Sequence, residues 1–176
     1  HQAVDSVLTE VLPNLNEGDI VIDGGNSLYK DSMRRAKELN ALGIRFMDVG
    51  VSGGPGGAKN GASLMIGGRK EDFSELIGLF RDLSVAKGFG HVGPHGAGHF
   101  VKMIHNAIEY PMMEAIAEGF DIMHRSEFNL NLNQIADLFN HGSVIESRLI
   151  RWLKDGLDEF GQEMPEVSGT VRRSGE

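Results

Sequence analysis

The sequence contains no cysteine. That removes disulfides, thiolate nucleophiles and cysteine metal ligands together, along with the usual framework of a small secreted scaffold. Aromatic residues are sparse, at one tryptophan, two tyrosines and nine phenylalanines, and cations are outnumbered, with 17 Lys and Arg against 25 Asp and Glu. The formal charge of −8 and the lack of a basic–aromatic stripe argue against a nucleic-acid module. A local basic pocket for one small anion remains open to such a chain. No apolar run reaches the roughly 18 residues of a membrane span. Nothing resembles a secretory signal, so a cytoplasmic location is the expectation. The seven histidines form no HExxH pattern. His91, His95 and His99 fall around turns without a carboxylate at ligand spacing, so no metal is expected.

What is present reads as two architectures in succession. "VDSVLTEVLPNLNEG" predicts a helix ending before Pro13, and "DIVIDGG" a short buried strand. Tyr29–Leu42 has helical spacing of Met33, Ala36 and Leu39, closed by Gly43. "IRFMDVGV", "SLMIGG" and "AKGFGHVG" predict three further strands, with a helix over 71–82 between the last two. Strands alternating with helices imply a mostly parallel sheet covered by helices, here the C-terminal part of a Rossmann-like domain over 1–96. After "GPHGAG" the grammar turns all-helical, giving a partial helical domain over 97–176. Its first helix should run to about His124 and kink at Pro111. Two more helices are expected near 133–139 and 143–160, the last capped by Ser143. The chain opens on His1 inside a helix and stops at "RRSGE" without a closing element, so both ends read as cuts in a longer protein.

The segment "GAGHFVKMIHNAIEY" carries the most chemistry. Lys102, His105, Asn106 and Glu109 stand at i, i+3, i+4 and i+7, so they share one helix face, while Val101, Ile104, Ile108 and Met112 can take the buried side. A solvated face with a Lys–Glu pair would show the same spacing. The glycines just upstream favour a pocket, because they let a ligand approach the backbone. Lys102 can serve as a general base if burial or a neighbouring cation lowers its pKa from a reference near 10.4. Glu109 can serve as a general acid if its surroundings raise its own.

Two glycine-rich stretches, "DGGNS" and "VSGGPGGAKNG", each follow a strand. In parallel sheets ligands gather beyond the carboxyl ends of strands. Backbone N–H groups around Gly53, Gly54, Gly56 and Gly57 could hold a carboxylate or phosphate, with Ser52 and Asn26 adding side-chain contacts. Glycines in such loops also serve turns alone. Neither stretch is a GxGxxG fingerprint, which belongs to the first strand–helix unit of such a domain and would lie upstream.

Together, "VIDGGNSLYKDSMRRAKELNALGIRFMDVGVSGGPGGAKNGASLMIGG", "GPHGAGHFVKMIHNAIEYPMMEAIAEGFDIM" and "HGSVIESRLI" resemble the decarboxylating 6-phosphogluconate dehydrogenases, a branch of the β-hydroxyacid dehydrogenase family. "VSGGPGGAKNG" and the lysine with asparagine four residues on fit the wider family. "GGNS.Y.D..RR" and "KMIHNAIEY" are similar to the narrower branch, and "SGTVRRSGE" resembles the point where shorter bacterial forms continue. The resemblance implies oxidative decarboxylation of 6-phosphogluconate to ribulose 5-phosphate with reduction of NAD or NADP, by a homodimer. It implies Lys102 as the base at the C3 hydroxyl and Glu109 as the acid that protonates C1 of the enediol. It further implies Ser52, Gly53, Gly54, His105 and Asn106 as substrate ligands, Tyr110 as a phosphate contact, and Asn26 as a contact to cofactor and substrate both. Two other readings fit less of the pattern. One is a sibling dehydrogenase acting on a small 3-hydroxy acid without decarboxylation. The other is a non-catalytic dimerisation or regulatory remnant of the fold.

Overall fold

The computed structural model describes residues 2–165 and 167, so the closing "SGTVRRSGE" lies outside the described residues. The chain divides between Asn106 and Ala107 into two compact units. The observed order is an α/β region followed by an all-helical one.

In the first unit, α1 (Gln2–Val11) runs into one 3-10 turn at Leu12–Asn14, where Pro13 ends the helix. The strands are β1 (Ile20–Asp23), β2 (Arg45–Ser52), β3 (Ala62–Gly67) and β4 (Ser84–Gly93), and they lie side by side in that order. Helix α2 (Tyr29–Asn40) links β1 to β2, and α3 (Gly54–Asn60) links β2 to β3. The expected 71–82 helix is two pieces, α4 (Lys70–Glu75) and α5 (Ile77–Leu83), broken at Leu76 beside the poor helix formers Ile77 and Gly78.

β1 pairs with β2 in parallel and β3 with β4 in parallel, but β2 and β3 are antiparallel. Chain length explains the reversal. A parallel crossover needs roughly a dozen residues or more. The segment between Ser52 and Ala62 is shorter, so α3 can only turn the chain back.

β2 alternates as a strand should. Met47 and Val49 enter a core with Leu64, Ile66 and Phe80, while Phe46 enters another with Ala36, Leu39 and Ile44. Phe73 of α4 stacks on Phe80 of α5 at 5.8 Å and packs against the first core, so α4 and α5 cover one face of the sheet. Helices α1 and α2 cover the other through Leu8, Ala36 and Leu39.

Helix α6 (Ala97–His124) continues without interruption through Pro111. In the second unit, Phe120 of α6 gathers with Leu132 and Ala136 of α7 (Leu132–Phe139) and with Ile150 and Leu157 of α8 (Arg148–Phe160). Asn131 caps α7, accepting from the Gln134 N–H at 3.0 Å. The cap of α8 is Ser147, which accepts from the Ile150 N–H at 3.2 Å, and not the expected Ser143. The Ser143 hydroxyl instead donates back to the Phe139 carbonyl, and residues 141–147 are turns and bends. Among the described residues no helix is long and apolar enough to cross a membrane.

Candidate functional site

Because β1 and β2 are parallel, their C-terminal ends open on the same edge of the sheet. Both glycine-rich stretches begin there. In the turn after β1, the Asp23 carboxylate accepts from the Gly25 N–H at 3.0 Å and from the Ser27 hydroxyl at 2.7 Å. The buried Arg35 guanidinium of α2 donates to Ser27 Oγ at 3.2 Å and pairs with Asp23 at 3.4 Å. It also reaches Asp5 of α1 at 2.8 Å. One buried cation thus braces the turn, and the turn presents Asn26 exposed at its tip.

The turn after β2 carries Ser52, Gly53 and Gly54. Gly53 precedes and Gly54 opens α3, where the glycine run by itself predicts a loop. Ser52 Oγ lies 3.1 Å from His105 Nε2 on α6. Lys102 Nζ donates to Asn106 Oδ1 at 2.6 Å and lies 3.4 Å from His105 Nδ1, which is 3.1 Å from the same amide oxygen. The shorter of the Nδ1 contacts places the ring proton toward Asn106, leaving Nε2 to accept from the Ser52 hydroxyl. Asn106 is buried, and Ser52, Lys102 and His105 are half-buried. The result is an ammonium, an imidazole, an amide and a hydroxyl joined in one network at the end of a strand. Such a group can grip a hydroxyl or carboxylate and hold a proton beside it.

Backbone proximity makes this possible. A Cβ on Gly50 would stand 2.5 Å from Lys102 Cβ and 2.6 Å from the Gly98 carbonyl oxygen. A Cβ on Gly98 would meet the Asp48 carbonyl oxygen at 2.3 Å. Helix and strand therefore touch backbone to backbone. Gly98, one of the glycines upstream of Lys102 that favour ligand approach on sequence grounds, serves with Gly50 the packing that places Lys102.

One expectation is overturned. Ile104, Ile108 and Met112, expected on the buried side of α6, are 43%, 58% and 45% exposed. Lys102 and Asn106 face the sheet instead, because the strand opposite them offers glycine and polar groups in place of an apolar surface. Glu109 and Tyr110 follow on α6 in the second unit, Glu109 half-buried and Tyr110 45% exposed. Asp48, fully buried on β2, went unnoticed in the sequence, since it stands inside an otherwise apolar run with no motif around it.

The residues present fit one side of a dinucleotide. They supply the braced turn with Asn26 and the neighbouring Ser52–Gly53 turn, both beyond parallel strands. The string "GFGHVG" spells GxGxxG, but its glycines lie within β4, paired to β3, and open no helix. It cannot cradle a pyrophosphate as the fingerprint does. Among the described residues no group of three His, Asp or Glu side chains could hold a metal ion.

Comparison with known proteins places this geometry. The NAD binding domain of 6-phosphogluconate dehydrogenase matches residues 1–93, and the 6-phosphogluconate dehydrogenase C-terminal domain matches 98–127. The NAD(+)-dependent, decarboxylating 6-phosphogluconate dehydrogenase of Haloferax volcanii is 39% identical over 96% of this chain and 56% of its own length. The Plasmodium falciparum 6-phosphogluconate dehydrogenase, solved in its apo form and with NADP+ and 6-phosphogluconate, superposes with a TM-score of 0.80 at 34% identity, over 89% of this chain and 35% of that one. The Mycobacterium tuberculosis 3-hydroxyisobutyrate dehydrogenase shares the fold, with a TM-score of 0.71 at 22% identity over 84% of this chain and 50% of that one. The chain thus spans little more than half the length of the Haloferax protein and about a third of the Plasmodium one. With its NAD-binding region matched over more than half of its length and a decarboxylating relative at 39% identity, the chain belongs to the 6-phosphogluconate dehydrogenase family.

Proposed function

We propose that this chain supplies the oxidation centre of a decarboxylating 6-phosphogluconate dehydrogenase. The observation that carries the proposal is the Lys102–Asn106–His105–Ser52 network at the carboxyl end of β2, in a chain of this family. A bound NAD or NADP would supply the acceptor for a hydride. Lys102 Nζ takes the proton of the substrate's C3 hydroxyl as that hydride leaves C3. The C1–C2 bond then breaks with loss of carbon dioxide. Its electron pair passes to the C3 carbonyl oxygen, which takes the proton back from Lys102. Glu109, further along α6, protonates the former C2, now C1 of the enediol, while Lys102 takes the hydroxyl proton back from the former C3 oxygen, so that the ketone of ribulose 5-phosphate forms and is released. Ser52, the Gly53 and Gly54 N–H groups, His105 and Asn106 hold the substrate's carboxylate and hydroxyls. Tyr110 reaches its phosphate, and Asn26 lies between substrate and nicotinamide.

The division of labour we propose is a partial NAD(P)-binding domain over 1–96 and a partial helical domain over 97–176, in a cytoplasmic homodimer. Two features favour this substrate over a small 3-hydroxy acid. They are the match of residues 98–127 to the 6-phosphogluconate dehydrogenase C-terminal domain and the higher identity to decarboxylating enzymes than to the hydroxyisobutyrate enzyme.

The deciding experiment is substrate-dependent reduction of NAD and of NADP by the full-length product of the gene encoding this chain, with carbon dioxide release followed in parallel. Reduction of either cofactor with equimolar release establishes the reaction. Reduction with 3-hydroxyisobutyrate and none with 6-phosphogluconate would replace it with the sibling activity. No reduction with either would favour the non-catalytic reading.

A further inference from the structure

We infer that Asp48 is the positioning residue for Lys102, fixing the height of α6 against β2 so that the lysine reaches its network; the inference rests on the proposed role of Lys102 as base. Asp48 is fully buried, in a strand whose neighbouring residues Met47 and Val49 are apolar core. A buried carboxylate is costly to the fold unless its oxygens are satisfied. Those of Asp48 are satisfied by the start of α6. Oδ1 accepts from the Gly96 N–H at 2.7 Å, and Oδ2 accepts from the His99 N–H at 3.0 Å. These are charge-assisted bonds to the positive end of a long helix. A helix usually takes its cap from the residue just before it. Here a strand nearly fifty positions earlier supplies the acceptor, so the bond ties tertiary structure together as well as ending a helix.

The register of the contact shows what it controls. Asp48, Gly50 and Ser52 are alternate residues on one face of β2. Along α6 they meet Gly96 and His99, then Lys102, then His105. Strand and helix run in step, and the carboxylate is the fixed end. On the neighbouring strand Gly67, paired with Asp48, keeps the space open: a Cβ there would stand 2.6 Å from Asp48 Oδ1 and 2.7 Å from the Gly98 N–H nitrogen. Gly50 and Gly98 close the gap between backbones, but van der Waals contact alone would let the helix slide. Two hydrogen bonds to backbone N–H groups at different heights of the first turn do not.

The test uses Asp48→Asn, which keeps the shape. One of its two contacts becomes an NH2 group facing a backbone N–H. In the full-length protein, with 6-phosphogluconate deuterated at C3, kcat should fall about tenfold to a hundredfold, the scale for a reacting group displaced by about an ångström. The primary isotope effect on kcat should rise as hydride transfer becomes limiting, while KM for the dinucleotide stays unchanged. A merely structural role would lower the melting temperature without raising the isotope effect. Amide exchange on the wild-type protein gives a second measurement that needs no variant. The Gly96 and His99 N–H groups should be protected to the level of the sheet. Wild-type kcat and isotope effect in Asp48→Asn, or loop-like exchange of those two amides, would overturn the inference. Were the wild type to reduce neither cofactor, the proposed reaction would fail separately, and the anchor would be judged by loss of protection at Gly96 and His99 in Asp48→Asn.

Discussion

On one side of β2, Met47 and Val49 lie among Leu64, Ile66 and Phe80, in a core that any α/β protein could use. On the other, only Phe46 is core, and then Asp48, Gly50 and Ser52 follow one another beneath α6. The two faces share a backbone and differ in what a substitution should do. The apolar face is held by burial, which is roughly proportional to area and tolerant of small shifts. The polar face is held by directed bonds and by backbone contact, where a displacement of about an ångström changes which atoms meet. Beyond Phe46 a single strand therefore serves stability with Met47 and Val49 and chemistry with Asp48, Gly50 and Ser52.

Substitutions on each face sharpen that contrast. The largest effect should come from Lys102→Ala, which removes the proposed base and should lower kcat about a hundredfold to ten-thousandfold at unchanged melting temperature. Turnover near the wild-type rate would remove Lys102 from the chemistry and leave the polar face without its function. Phe80→Ala empties the centre of the apolar face and should cost about 3–5 kcal/mol in denaturant unfolding, leaving kcat of the folded fraction unchanged. A large drop in kcat without that loss of stability would break the division between faces. Gly50→Ala should do some of both, because its methyl group must push against Lys102 Cβ and the Gly98 carbonyl. A stability cost of about 1–3 kcal/mol for the overpacking, accompanied by reduced kcat, is expected from melting curves and assay on the same sample.

Much of this was legible in the residues. Short apolar runs bounded by glycines located all four strands, and the i, i+3, i+4 spacing brought Lys102, His105 and Asn106 onto one face, where the structure joins them. Three features escaped for physical reasons. The antiparallel turn between β2 and β3 depends on the length of "GGPGGAKNG", which is too short for a crossover, while its glycines suggested an open loop. The orientation of α6 depends on what β2 presents to it. Helical spacing alone puts isoleucine and methionine inside, and nothing local in "FMDVGVS" announces that Asp48 and Gly50 will take the helix's polar side. The brace on the Asn26 turn escaped for the same reason, since Asp5, Asp23 and Arg35 come from three separate elements.

That brace gives the smallest effect and a test by pH. The Arg35 and Arg34 guanidinium groups beside Asp5 hold its carboxyl at about 2, against an ordinary value of 3.8, and partial burial opposes them only in part. The folded pKa is depressed, so the unfolded chain binds the proton more tightly. The contribution is complete above about pH 4, and it is lost as pH falls toward 2. Asp5 keeps 42% of its side chain exposed, so solvent screening limits the contribution to about 1 kcal/mol or less. Asp5→Asn should therefore be slightly less stable than wild type near neutral pH, and the two unfolding curves should converge between pH 4 and 2. A difference that stayed constant across that window would mean that Asp5 acts through shape alone. The bracing of the Asn26 turn would then rest on the half-buried Ser27 and on Arg35 and Asp23, which are buried and out of reach of the solvent that screens Asp5.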